Sequence, residues 1–244
     1  HEGSPGKDQP PKDLDGGGAG KSRTIVQGAP GAVTHERLTT VLAKLCGARV
    51  GVIGDFCLDA YWQLDTGEQE RSLETGKAAR AVRSQRYSLG GAGNVVANLV
   101  DLGVRSVYGF SVINDDLFGR EMLARLRASS VDTFGMVIQA EEWDTPVYAK
   151  PYREADEQER IDFGRWNRIS AGTEVKLAGA LRTIVPTLDA LIVNQQLTRG
   201  IYSRPVVQTI NTLVRDVPST LFFLDSRNMS EQFTGMIAKL NAAE

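Results

Sequence analysis

Two carboxylates stand where a short apolar segment ends, in the sequence GDFCLDAY. They are Asp55 and Asp59, four positions apart. Carboxylates at the end of a strand can accept hydrogen bonds from the hydroxyl groups of a ligand, or they can orient a cation. In the alternative interpretation, one of them caps a helix and the other faces solvent. We take both as candidate ligand-binding residues.

A glycine cluster follows in LGGAGNVVANLVDLG. Gly90, Gly91 and Gly93 lie within four positions, and Asn94 falls in the first turn of a predicted helix. Glycine has no Cβ and lets the backbone approach a ligand closely, while a helix N-terminus offers free N–H groups to an anion. A tight turn leading into a helix would use the same residues, so this cluster leaves both interpretations open.

An amide and a carboxylate stand close together in LNAAE. Asn241 and Glu244 are separated by two residues, a spacing that can place both side chains on one side of a turn or short helix. Taken alone, the pair is equally typical of an ordinary turn in solvent.

The elements that must position these residues alternate between apolar strands and amphipathic helices. This alternation predicts a mostly parallel sheet with helices on both faces, which is an α/β fold. In such sheets, ligands bind beyond the carboxyl ends of the strands. We predict strands at 48–56, 106–113, 133–139, 190–195 and 220–225, and helices at 35–45, 93–103, 118–126, 174–185 and 206–214.

Two polar stretches interrupt the alternation, at 61–88 and 146–163. Both read as exposed, extended strands rather than as parts of the sheet core. We predict that they form a small antiparallel lid over one edge of the sheet.

The amino-terminal residues differ in composition from the rest. The first 23 hold six of the 25 glycines and three of the nine prolines. Such a segment cannot bury enough surface to offset its ordering entropy, and we predict that residues 1–33 form a disordered tail. The tail contains GGGAGKS, which looks like the end of a phosphate-binding loop, but Asp15 stands where that motif needs glycine. A flexible linker is favoured.

Charge and cysteine content limit the classes of partner. Lys and Arg (28) nearly balance Asp and Glu (30), which gives a formal charge of −2 and no general attraction to nucleic acid or an anionic membrane. Cys46 and Cys57 are too few for a disulfide framework and favour a reducing compartment, the cytoplasm. No apolar run approaches the roughly 18 to 20 residues that span a bilayer. We expect a small-molecule or protein partner.

Together these segments resemble the phosphofructokinase-B, or ribokinase-like, family of carbohydrate kinases. GDFCLDAY is similar to the family's opening strand motif, and GGAGNVVANLVDLG to its first signature, Gly-Gly-x-x-Asn before a helix that ends in glycine. INDDLFGR is similar to the turn that usually follows, and LNAAE to the Asn-x-x-Glu motif. The resemblance covers the chain from about Leu45 to Glu244 and implies a ribokinase-like fold with a small β lid.

The resemblance also implies roles for individual residues. Asp59, with Asp55 close by, would bind the hydroxyl groups of a sugar or sugar phosphate. Glu244 would help to place magnesium and the phosphates of ATP, with Asn241 on the same cofactor side. The glycine signature belongs to the sugar side, where the implied contacts are Gly90, Gly91 and Asn94.

Kinases of heptose 7-phosphate are the subgroup that the chain resembles most. They share a GD-x-x-LD-x-YW opening, a polar lid and an RIDFE-like strand, similar to RIDFG at 160–164. Where they carry Ser-Asp after the central strand, this chain has Asn194 and Gln195. An uncharged amide, that of Gln195, is therefore expected at the position that touches the sugar.

The implied reaction is attack of a sugar hydroxyl on the γ-phosphate of ATP, with an aspartate as base and magnesium stabilising the phosphate charge. That base belongs to a Gly-Ala-Gly-Asp motif, which we expect beyond Glu244. The Gly-Ala-Gly at 91–93 is followed by Asn94, whose amide cannot accept the proton. We thus expect residues 34–244 to form a kinase domain that is incomplete at its C-terminus and lacks the catalytic base.

Two alternatives stay open at the level of the sequence. One is a nucleoside or other small-alcohol kinase of the same superfamily, and the other is a non-catalytic sugar-binding fragment. The resemblance further implies that the lid could serve as the surface of a homodimer.

Overall fold

The computed structural model describes residues 33–67 and 70–239, so all but the last residue of the predicted tail at 1–33 lies outside the described residues. The helices are α1 (His35–Leu45), α2 (Ala92–Asp101), α3 (Leu117–Ala128), α4 (Ala171–Ile184) and α5 (Arg204–Asp216). The strands are β1 (Arg49–Gly54), β2 (Phe56–Leu64), β3 (Val82–Gly91), β4 (Ser106–Ile113), β5 (Asp132–Ile138), β6 (Val147–Arg153), β7 (Asp156–Glu157), β8 (Ile161–Phe163), β9 (Ala190–Gln195), β10 (Leu221–Ser226) and β11 (Ile237–Lys239).

Six strands form the core sheet in the order β11-β10-β9-β1-β4-β5, and every neighbouring pair is parallel. One face packs against α4 and α5 through residues such as Leu181 and Ile210. The other face packs against α2 and α3 through Val96 and Met122. Central strands that are buried on both faces need apolar residues throughout, and this confirms the predicted α/β fold.

The remaining five strands form a second sheet, which we call the lid. Its order is β3-β2-β6-β7, and β8 pairs with the free side of β6. The predicted all-antiparallel lid is wrong in one respect, because β2 and β6 pair in parallel from Leu58 opposite Val147 to Gln63 opposite Tyr152. Both strands leave the core sheet in the same direction, which places them side by side with the same polarity. The lid strands lie at 56–64, 82–91 and 147–163, against the predicted stretches 61–88 and 146–163.

One predicted strand divides into two. The expected strand at 48–56 ends at Gly54, and the chain then crosses into the lid at Asp55. A Cβ on Gly54 would lie 2.6 Å from both the Cβ of Ala92 and the backbone oxygen of Asn194. Asp55 is held there by its backbone, since its N–H donates to the Asn194 carbonyl (3.2 Å) and its carbonyl accepts from the Ala92 N–H (3.1 Å).

The helices begin and end close to the predicted positions, and local sequence explains why. Ser170 caps α4 by accepting a hydrogen bond from the Thr173 N–H at 3.2 Å. Gly103, with φ +78°, follows α2 and stops the helix earlier than predicted. Across 33–67 and 70–239, we find no helix with the length and apolar character that crossing a membrane demands.

Candidate functional site

Asp55 lies at the crossing between the two sheets, and its carboxylate is enclosed by backbone. Oδ2 accepts hydrogen bonds from the N–H groups of Gln196 and Leu197, each at 2.8 Å. Oδ1 accepts from the Ile201 N–H at 3.2 Å. The residue is only 3% exposed. The candidate ligand-binding carboxylate thus already has three partners, all from the loop that follows β9.

Burial raises the pKa of the Asp55 carboxyl to about 6, and the three backbone N–H groups offset only part of that rise. The nearby Cys57 thiol has a pKa raised to about 12, first by burial and then by the charges of Asp59 and Asp55. Burial also raises the pKa of the Tyr202 hydroxyl, which donates to the Ile53 carbonyl at 2.8 Å. Asp55 therefore keeps its charge near neutral pH at a cost in free energy.

The glycine pair at the end of β3 fits tightly against β2. Gly91 has φ +55°, and a Cβ there would lie 2.3 Å from the Asp55 carbonyl oxygen. A Cβ on Gly90 would lie 2.8 Å from the Cys57 sulfur and 3.0 Å from Oδ2 of Asp59. Glycine is required here for the close approach of two strands, which agrees with the structural interpretation of the cluster.

Asp59 occupies the polar face of the lid. Its carboxylate accepts a hydrogen bond from Nζ of Lys150 on the neighbouring strand at 2.8 Å, and the two side chains are 16% and 20% exposed. Burial acts to lower the pKa of Lys150, but the bond to Asp59 and its charge outweigh burial and leave the pKa raised. Nζ of Lys150 also lies 5.1 Å from the ring centre of Tyr61. The pair is charged, mostly buried and still partly exposed.

A cleft of about 390 Å³ separates the lid from the strand-end loop of the core sheet. On the lid side, Arg160 lies 4.4 Å from the ring centre of Tyr148 and donates to Asp162 at 2.6 Å. Tyr148 pairs in register with Asp59, so the cleft lies next to the Asp59 strand. Its lining consists of Tyr148, Asp162, Phe163, Gly164, Arg165, Trp166, Gln196, Leu197, Thr198 and Arg199.

The segment INDDLFGR attaches the lid to the core. Asp116 caps α3 through the Gly119 N–H at 2.6 Å, and its second oxygen accepts from the Thr145 N–H at 3.1 Å. The Thr145 hydroxyl oxygen in turn accepts from the Asn114 N–H at 3.0 Å. Because Thr145 directly precedes the segment that leads into β6, this turn fixes where the lid begins.

Gln195, the last residue of β9, is fully buried. Its Oε1 accepts from the Ser226 hydroxyl at 2.7 Å and from two backbone N–H groups, those of Arg227 and Asn228, at 3.2 Å. Its Nε2 donates to the Leu197 carbonyl at 2.9 Å and to the Asn228 side chain at 2.8 Å. The amide joins two loops and has no atom left for a sugar, which argues against the predicted direct contact.

Asn194 carries a buried amide oxygen for which the described residues provide no hydrogen-bond partner. Its Nδ2 donates to Oδ2 of Asp225 at 3.2 Å, and Lys239 lies 3.7 Å from the same oxygen. The three residues are in register on neighbouring strands. Among the residues that the structure describes, no group of three or more His, Cys, Asp or Glu side chains could hold a metal. Asn241 and Glu244 lie outside the described residues.

The structure brings four of the predicted residues together, namely Asp55, Asp59, Gly90 and Gly91. Asn94 is exposed in the first turn of α2. Sequence reasoning missed Lys150, which completes the Asp59 pair, and the cleft residues between Tyr148 and Trp166. The only signal for them was the mixture of aromatic and basic residues in the two lid segments.

Comparison of this chain with known proteins identifies its family. The model of the pfkB family carbohydrate kinases matches residues 49–185. The bifunctional protein HldE of Wolinella succinogenes is 32% identical over 174 residues, which cover 70% of this chain and 35% of that protein. HldE of Rhodospirillum rubrum is 28% identical over 189 residues, 73% of this chain and 35% of the relative. The chain spans about a third of the length of these curated relatives.

Solved structures give the same fold. A candidate phosphofructokinase from Staphylococcus aureus superimposes with a TM-score of 0.58 at 13% identity, covering 75% of this chain and 55% of that one. At 13% identity, this similarity shows the fold alone. With the family match extending over more than half of its length, this chain belongs to the pfkB family of carbohydrate kinases.

Proposed function

We propose that this chain forms the sugar-binding part of an ATP-dependent kinase that phosphorylates a hydroxyl group of a sugar or sugar phosphate, with a heptose 7-phosphate as the leading substrate. The observation that carries the proposal is the Asp59–Lys150 pair, 2.8 Å apart, in which Asp59 lies opposite Tyr148, a residue that lines the cleft. A carboxylate accepts from sugar hydroxyls, and an ammonium donates to them. The two side chains are 16% and 20% exposed, which leaves both charges partly open to a polar ligand.

The glycine pair supports this assignment. A Cβ on Gly90 would lie 3.0 Å from Oδ2 of Asp59 and 2.8 Å from the Cys57 sulfur, so any larger residue would push against the carboxylate. The glycine therefore lets Asp59 keep the position in which we propose that it accepts from a sugar hydroxyl. Asn94, exposed at the start of α2, would add an amide for a further hydroxyl.

Two arginines favour a substrate that carries an anionic group. Arg165 and Arg199 line the cleft from opposite walls, and Arg199 lies 5.4 Å from the ring centre of Trp166. Guanidinium groups bind phosphate through charge-assisted hydrogen bonds. A sugar phosphate would place its phosphate between these side chains while its free hydroxyl groups contact Asp59.

The residues at the ends of β9, β10 and β11 fit the phosphate end of ATP with magnesium. The Asn194 amide oxygen lacks a described partner, Asp225 offers a carboxylate and Lys239 a cation. Asn241 and Glu244 follow Lys239 closely in the sequence, and we assign them to the same nucleotide and metal site. Magnesium would neutralise charge on the phosphates when it is bound.

We assign no catalytic base within residues 1–244. No Gly-Ala-Gly-Asp occurs in residues 1–244, and Asn94 stands where the aspartate of that motif would follow 91–93. This observation also favours a second candidate function, a sugar-binding module that does not transfer phosphate. The two candidates share the Asp59 site and differ only in whether ATP is consumed.

Two further assignments accompany the proposal. The aromatic pair Tyr61 and Tyr152, 6.2 Å apart, lies with Arg86 on the lid face and suits a homodimer contact, which light scattering would detect as a doubled mass. Cys46 and Cys57 are both free thiols, and we place the protein in the reducing cytoplasm.

Thermal shift with a panel of ligands tests the function. Heptose 7-phosphates, hexoses, ribose and adenosine are compared, since a ligand at 100 times its Kd stabilises the fold by about 2.7 kcal/mol. We expect the largest shift with a heptose 7-phosphate, and loss of that shift in D59N. The matched control is D65N, a carboxylate just beyond the end of β2 that pairs with Arg83 at 2.7 Å and not with Lys150.

The outcomes separate the candidates. A shift with adenosine alone would support the nucleoside kinase alternative. Equal shifts in D59N and the unchanged chain would overturn the role of Asp59. Sugar binding without ATP consumption in the longer parent protein would support the non-catalytic module.

A further inference from the structure

We infer that Asp55 is a positioning residue that holds the loop at 196–201 as one wall of the cleft and does not itself touch the substrate. The inference rests on the proposed function where it takes the cleft as the substrate site. The part that concerns the loop depends only on the hydrogen bonds of Asp55. It differs from the role that the sequence implied for Asp55, which was to bind sugar hydroxyls.

The hydrogen bonds of Asp55 close the loop at both of its ends. Gln196 and Leu197 donate to Oδ2 from the beginning of the loop, and Ile201 donates to Oδ1 from its end. One carboxylate thus fixes the distance between the two ends. No other side chain in the described residues bonds to these three N–H groups. Thr198 and Arg199 lie between the two ends of the loop, and both line the cleft.

The carboxylate is also shielded from the cleft by the loop itself. A Cβ on Gly200 would lie 2.0 Å from Oδ1 of Asp55 and 2.6 Å from its Cγ, so the glycine backbone covers the carboxylate directly. Asp55 does not line the cleft, whereas Gln196 to Arg199 do. A sugar hydroxyl could reach Asp55 only if this loop moved away.

A charged carboxylate suits this task better than an amide. All three partners are N–H donors, and an ionised carboxylate accepts at both oxygens. An asparagine would turn its own NH2 group toward at least one of these donors. The positions of Gln196 and Leu197, or that of Ile201, would then lose their acceptor.

Hydrogen exchange of the backbone measures this directly. In the 244-residue chain, we expect D55N to increase exchange about tenfold or more in peptides that contain 196–201, because a buried N–H without an acceptor opens easily. D59N should leave exchange in these peptides unchanged. D216N, a surface carboxylate paired with Arg215, serves as a second control.

A second variant tests the geometry while the carboxylate stays in place. In G200A, the new Cβ must displace either Asp55 or the loop, and we expect increased exchange in the same peptides. In the double variant D55A/G200A, the space left by Asp55 accommodates the new methyl group. We therefore expect G200A to add little to D55A, a non-additivity that a cycle of the four proteins detects.

The results distinguish this inference from the proposed function. Faster loop exchange in both D55N and G200A, with weaker binding of a heptose 7-phosphate, supports the inference. Unchanged loop exchange in D55N together with lost sugar binding would show that Asp55 touches the sugar and would overturn it. If the unaltered chain binds none of the sugars but D55N still loosens the loop, the proposed function fails and the structural role of Asp55 stands.

Discussion

The strand-end loop and the lid use the same residue type in opposite ways. Asp55 in the strand-end region is bonded to three backbone N–H groups and is 3% exposed. Asp59, four residues later on the lid, pairs with one flexible side chain, Lys150, and stays accessible. A carboxylate held by backbone can define a shape, whereas one held by a lysine can exchange that partner for a ligand. The difference teaches that two carboxylates of one motif can differ in burial and in partner type, and our two proposals for them rest on that difference.

The largest change in stability is expected for a substitution in the strand-end region. Q195L should lower the free energy of unfolding by about 4 kcal/mol, because the buried partners of the amide, among them the Ser226 hydroxyl and the Arg227 and Asn228 N–H groups, lose their acceptor. Urea denaturation measures the change. S226A, which removes only one of these bonds, should cost about 1 kcal/mol. Similar losses in the two variants would contradict the view that Gln195 joins the two loops.

A smaller effect is expected from pH, again in the strand-end region. The pKa of Asp55 is about 6 in the folded chain, above the ordinary value near 3.8, so the folded state binds the proton more tightly. The contribution of Asp55 to the free energy of unfolding is fully present below about pH 4, and it is lost as the pH rises through 6. The loss approaches roughly 3 kcal/mol at pH 7. The raised pKa values of Cys57 and Tyr202 keep both groups neutral over this range.

Comparison with D55N isolates the pH-dependent contribution of the Asp55 carboxyl to stability, because the variant has no carboxyl group to protonate at that position. The difference in unfolding free energy, unaltered chain minus D55N, should fall between pH 4 and pH 7. Asp59, the nearest other carboxylate, is present in both proteins and cancels. A difference that stays level across the range would remove the pH argument for Asp55.

The smallest effect on stability is expected at the lid. K150M should lower the free energy of unfolding by about 1 to 2 kcal/mol, because the Asp59 carboxylate, only 16% exposed, loses its partner. The same variant should weaken binding of a heptose 7-phosphate about tenfold or more by removing a donor from the site. Calorimetric titration measures the binding. A large loss of stability with unchanged affinity would reverse the contrast between the two regions.

Much of the fold could be predicted from the sequence, since apolar strands and amphipathic helices alternate in a recognisable way. The strands at 106–113 and 190–195 and the helix at 35–45 have the predicted bounds. The division of the strand at 48–56 could not be predicted, because Gly54 and Asp55 read as a strand end while Phe56 to Leu64 continue in extended conformation. The parallel pairing of β2 with β6 depends on two segments far apart in the sequence, and local patterns contain no information on it.

The candidate site divides in the same way. The sequence by itself determined the family motifs and identified Asp55, Asp59 and the glycine pair, because residue type and spacing carry that chemistry. Only the tertiary structure decided that Lys150 pairs with Asp59, that Gln195 is enclosed between two loops, and that Asp55 faces the N–H groups of 196–201. These roles depend on contacts between residues that are far apart in the sequence. The packing of the two sheets determines those contacts, and it therefore decides which polar group remains accessible and which is buried.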